Sequence, residues 1–120
     1  MIVCDEDDNI FGGYMTPSFD HRKNFYGTGE SFIFTFKGGN LYAYKASLMN
    51  DLYCFSDEDG FGFGSDNHYG LFIDASLKKG FTFPCKTYNN DPLSPNTHFT
   101  IKKLEIWGFQ SPESHDYHNF

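Results

Sequence analysis

Basic clusters are scarce in this chain of 120 residues: 9 Lys and Arg stand against 16 Asp and Glu, giving a formal charge of −7, and Arg22 is the only arginine. No more than two bases are adjacent, which excludes the cationic stripe that nucleic acid or an anionic membrane requires. Long apolar runs are missing as well, and none approaches the ~18 residues of a membrane span. The start, MIVC followed at once by DEDD, lacks the basic and apolar regions of a signal peptide. Cysteine is sparse: Cys4, Cys54 and Cys85 form an odd, scattered set without the C-x-x-C spacing of a zinc or redox site. These absences predict reduced thiols in a cytoplasmic protein with no cofactor, no metal and no membrane insertion.

Aromatic residues are abundant, with 15 Phe, 8 Tyr and 1 Trp, enough for the core of one domain. The pattern is extended. In YGTGESFIFTF, Tyr26 to Phe36, two glycines make a turn, Glu30 stands at its end, and Phe32, Phe34 and Phe36 alternate with Ser31, Ile33 and Thr35. Alternation of this kind makes a strand, here with the phenylalanines expected on the inner face. Ile2 to Cys4 and Asn9 to Tyr14 predict a hairpin with an acidic tip, and Gly12-Gly13 a bulge or a close crossing. Lys37-Gly38-Gly39-Asn40 is a hairpin turn. Leu52 to Phe55, Gly60 to Gly64, Tyr69 to Asp74 and Phe81 to Phe83 are further strands. Between the last two, Asp74 to Gly80 predicts a single helical turn. Phe99 to Ile101 and Leu104 to Phe109 complete the set, broken by a bulge at Lys102-Lys103. Eight or nine short strands predict a mainly β fold, a two-layer antiparallel sandwich with at most short helices.

Catalytic constellations are weak. Cys85 with His68 or His98 is the one formal cysteine–histidine candidate, and Lys86 beside Cys85 makes a redox thiol the alternative to an inert buried one. The acidic stretches at 5–8 and 57–59 lack the ligand spacing of a calcium loop. His115 to His118 has metal-like spacing but lies in a polar tail over 111–120. Glu30 has no carboxylate partner at a fixed offset, so its expected work is to accept hydrogen bonds from the turn.

Five blocks in order carry a resemblance: FGGY (Phe11 to Tyr14), YGTGESFIFTF, YGLFIDASLKKG (Tyr69 to Gly80), CKTYNNDPLS (Cys85 to Ser94) and FTIKKLEIWGF (Phe99 to Phe109). Together they resemble the TLDc domain of the oxidation-resistance proteins, over residues 1–110. The resemblance implies a sandwich flanked by helices, no catalytic centre, a link to oxidative stress and binding to the vacuolar-type proton ATPase. Its signature falls on Gly12, Gly13, Gly27, Gly29, Glu30, Gly70, Asp74, Cys85, Asn90, Leu93, Glu105 and Trp107. Family members begin with a further segment that completes the core, so a second expectation is an architectural subunit whose neighbours supply that layer.

Overall fold

The computed structural model describes residues 1–15, 27–65 and 68–106. Trp107, Tyr26, the polar loop at 16–24 and the tail with its histidines lie outside them. Nine strands form: β1 Ile2–Asp5, β2 Ile10–Tyr14, β3 Phe32–Lys37, β4 Asn40–Lys45, β5 Cys54–Asp57, β6 Gly60–Phe63, β7 Leu71–Asp74, β8 Lys79–Phe81 and β9 His98–Glu105. Among the described residues there is no helix. The fold is mainly β.

All nine strands belong to one hydrogen-bonded sheet, ordered β4-β3-β2-β1-β9-β8-β7-β6-β5 and antiparallel throughout. β9 is the hinge. Its residues His98 to Thr100 pair with β8, while Ile101 to Glu105 pair with β1. Opposite the step from Cys4 to Asp5 the register skips Lys102, so the bulge falls where alternation breaks in the sequence. The expected two layers are therefore halves of one sheet folded over. Their inner faces meet: a Cβ on Gly13 of β2 would lie 2.7 Å from the Phe63 ring of β6, and one on Gly70 would lie 3.0 Å from Ile33 of β3. Val3, Phe11, Ile33, Phe63, Leu71, Ile73, Phe99 and Leu104 fill the space between. Phe11 and Phe99 meet edge to face, centroids 4.9 Å apart.

Two expectations are corrected and a third is narrowed. The phenylalanines of β3 face outward: Ile33 and Thr35 are buried, whereas Phe36 is 43% exposed. Phe32, Phe34 and Phe36 instead form a ring ladder with Tyr14 on the outer surface. The reason is chemical. Thr35 Oγ1 donates to the Leu93 carbonyl at 2.6 Å, a buried bond that no phenylalanine ring makes. Of the two readings of Gly12-Gly13, the bulge is absent, its register being regular, and the close crossing of another backbone is present. Gly12 is needed because Met1 O would lie 2.0 Å from its Cβ. Asp74 to Gly80 is a non-helical turn, in which Asp74 Oδ1 accepts from the Ser76 amide at 2.9 Å and Leu77 takes φ 61°. β8 consequently starts at Lys79, two residues before the expected strand, and β5 starts at Cys54, two residues after it.

The outer face of the other half is aromatic as well. Phe55, Gly62, Phe72, Phe81 and His98 lie side by side across five strands. Gly62 leaves a gap in that row, and the Phe55 ring leans over it to stack on Phe72 at 6.0 Å. The alternation of Gly60 to Phe63 is thus explained, with Phe63 in the core and glycine under an aromatic cover.

Candidate functional site

The segment from Thr82 to Thr97, between β8 and β9, runs through the fold. Thr82 donates to the Gly70 carbonyl at 2.6 Å and accepts from the Leu93 amide at 3.0 Å. Leu93 in turn accepts from Thr35 in the opposite half of the sheet. Asn90 folds the chain back on itself, its amide donating to the carbonyls of Phe83 and Asp91. Its Oδ1 accepts from the Cys85 amide and from the Cys85 thiol, both at 3.2 Å. Signature residues Gly70, Cys85, Asn90 and Leu93 thus form one buried network. Gly64 shares it, since at φ 73° a Cβ would sit 2.7 Å from the Cys85 sulfur and 2.8 Å from Tyr88.

This environment is wrong for a reactive thiol. Burial pushes the Cys85 pKa up, and hydrogen bonds from the Tyr88, Thr87 and Gly70 amides pull it back only in part. Cys54, also buried, is pushed up to about 12. Neither candidate base joins Cys85. His68 and His98 are exposed on the outer face, flanking the Phe83 ring at 5.0 and 5.4 Å. Two surface depressions, of about 420 and 470 Å³, have no cysteine or serine in their walls.

Asp5, which nothing in the sequence distinguished from its acidic neighbours, is fully buried. It accepts from the amides of Asp7 and Asn9, from the Asn9 side chain and from Ser94 Oγ at 2.6 Å. Burial alone would raise its pKa. The bonds from Ser94 and Asn9 outweigh that and hold it below the ordinary carboxylate value of 3.8. Glu6 accepts from the Thr100 amide and Asn96, Asp7 from Asn96, and Asp8 pairs with Lys102 at 2.6 Å. The acidic tip is a clasp closing β1–β2 onto β9. Contacts far apart in sequence reveal it: Asp5 to Ser94 spans 89 residues, and Glu6 to Thr100 and Asp8 to Lys102 span 94 each.

Of the remaining signature positions, Gly12 and Gly13 are buried in β2, Gly27 and Asp74 are half-buried, and Gly29, Glu30 and Glu105 are exposed. Glu105 lies on β9 opposite Ile2. Gly27, Gly29 and Glu30 form a turn in which the Ser31 amide donates to the Thr28 carbonyl at 3.0 Å and the Glu30 amide to Thr28 Oγ1 at 3.2 Å. Thr28 caps this turn. Glu30 does not, and its carboxylate is exposed. Beside the turn runs the loop Ser47 to Tyr53, where Leu48 and Met49 are 75% and 70% exposed. Leu48 holds a left-handed φ of 65°, and its Cδ2 lies 3.3 Å from where a Gly29 Cβ would be. The loop is anchored on both sides. Ser47 donates its amide to Thr87 O at 2.8 Å and its hydroxyl to Lys86 O at 2.5 Å, and Asn50 accepts from Thr87 at 2.8 Å.

A profile of the TLDc domain family matches residues 1–110. The chain belongs to the TLDc domain family. Nuclear receptor coactivator 7 of Mus musculus is 36% identical over 111 residues, covering 92% of this chain and 12% of that relative. Oxidation resistance protein 1 is 34% identical in Rattus norvegicus and 33% in Homo sapiens, covering 92% of this chain and 13% of each. This TLDc chain spans about an eighth of the length of the curated relatives it matches. Among its described residues no three His, Cys, Asp or Glu side chains gather as metal ligands, and no helix is long and apolar enough to cross a membrane.

Proposed function

We propose that this TLDc chain is a protein-interaction module without catalysis of its own, linked to resistance against oxidative stress, which docks on the vacuolar-type proton ATPase in the cytoplasm. The observation that carries the reading is the pairing of the Gly27–Glu30 turn with the Leu48–Met49 loop. A strained, doubly anchored loop presenting two large apolar side chains beside an exposed carboxylate is the make-up of a pre-organised contact. Names of relatives support the oxidative-stress link. The buried state of Cys85 favours docking over chemistry at a thiol.

The test is co-sedimentation of the purified chain with membranes bearing the proton ATPase. Retention that is lost in a Leu48→Ser, Met49→Ser variant supports the docking reading. Equal retention of both proteins, or none of either, overturns it. A second reading, the architectural subunit, is favoured by the outer-face ladder of Phe32, Phe34 and Phe36, of which Phe36 is exposed. It expects the isolated chain to bind a hydrophobic dye and to lack a cooperative melt.

A further inference from the structure

The two edges of the sheet are unlike. β5 has four residues and leads into Asp57, Glu58 and Asp59, charges that discourage another strand from pairing. β4 has six, Asn40–Lys45, without proline, glycine or bulge, and its register with β3 is unbroken from Lys37↔Asn40 to Phe32↔Lys45. None of its residues is acidic, and Leu41 and Tyr42 are 57% and 48% exposed. Lys45, at its end, is the one charge on this strand.

The hairpin turn fixes which backbone groups are open. Gly38 and Gly39 have φ 58° and 80°, a type I′ turn, so Lys37 and Asn40 form the hydrogen-bonded pair that closes it. Alternation along an antiparallel ladder then points the N–H and C=O groups of Asn40, Tyr42 and Tyr44 at β3. Those of Leu41, Ala43 and Lys45 point away from the sheet.

We infer that β4 pairs with β4 of a second copy, antiparallel about a two-fold axis through Ala43 and normal to the sheet. Only that register joins all the outward groups: Ala43 bonds its own counterpart, and Leu41 bonds Lys45 of the second copy in both directions. Residues opposite each other then lie on the same face, as a continuous sheet demands. The side chains agree. Tyr42 meets Tyr44 of the second copy as an aromatic pair, the Lys45 stem covers Leu41, and the two Lys45 charges stand at opposite ends. The chain's net charge of −7 opposes association, but no acid lies on this strand. An interface limited to one strand from each copy makes the dimer weak and dependent on concentration.

Sedimentation velocity of the full chain from micromolar to millimolar concentration tests this. The expected result is a shift from monomer toward dimer mass. Ala43→Pro removes an N–H that β3 does not use and abolishes the shift, with the circular dichroism spectrum unchanged. Leu41→Lys, at an exposed site, sets like charges opposite Lys45 and weakens the dimer on the order of five- to tenfold, whereas Leu41→Glu strengthens it. Monomer mass at every concentration overturns the proposal. So does a dimer that is indifferent to both Leu41 substitutions, even if Ala43→Pro fails to fold.

Discussion

At Asp5 a single carboxylate joins two distant parts of the chain, and its solvation has been replaced by protein donors. Asp5→Ala strands those donors and is expected to cost ~3 kcal/mol in a denaturant titration, against ~0.5 kcal/mol or less for Asp7→Ala at the exposed tip. The sign of its pH effect follows from a folded pKa below 3.8. Stability from this group is complete above the ordinary value and is lost as pH falls through the folded one, so Asp5→Asn flattens the acid limb of the stability profile. Cys54 works in the other direction. Its thiol is neutral in the fold up to about pH 12 and in the unfolded chain only to about 9, so its contribution is complete below pH 9 and lost as pH rises toward 12. Thermal melts of Cys54→Ala between pH 8 and 11 are expected to fall less steeply than those of the parent. For Cys85, with its thiol held by Asn90, Cys85→Ser is expected to leave peroxide consumption unchanged in a direct assay; a decrease would restore the thiol chemistry argued against above.

Among the elements, existence was easier to read than orientation. The hairpin with the acidic tip gave β1 and β2, and the alternation between glycine turns gave β3, close to their true limits, because a turn such as Gly38-Gly39 can do little else. β3 shows where reading fails: period two separates the two faces of a strand without saying which is inside. Hydrophobicity alone favoured the phenylalanines, but the threonine had a partner across the fold and the rings did not. CKTYNNDPLS carries turn-forming residues in Asn89-Asn90-Asp91-Pro92, but its course through the centre of the molecule is not legible, since its partners Thr35 and Gly70 come from elsewhere in the chain. Two glycines test this layer of the account. Gly13→Ala drives a methyl into Phe63, and Gly64→Ala adds backbone strain to a clash with Cys85 and Tyr88. Each is expected to destabilise by ~2 kcal/mol or more, with Gly64→Ala the worse, as read from unfolding midpoints.

For the whole molecule, one sheet folds at β9 around a buried segment and carries the exposed Leu48–Met49 loop outside the core. The segment that orders Cys85, Asn90 and Leu93 also supplies, through Lys86 and Thr87, the bonds that fix the Leu48–Met49 loop. Core and loop are thereby coupled, and damage to the network should reach the loop without any change at its tip. Thr87→Val is expected to leave the fold intact while raising hydrogen exchange across 47–53 at least ~10-fold, corresponding to ~1.4 kcal/mol of lost local stability. The most direct measurement is hydrogen exchange of the chain with and without the purified peripheral sector of the vacuolar-type proton ATPase. The account predicts added protection at Gly27 to Glu30 and at Ser47 to Tyr53, with the β5–β6 turn unchanged. Protection confined to other surfaces, or none at saturating partner, would contradict it.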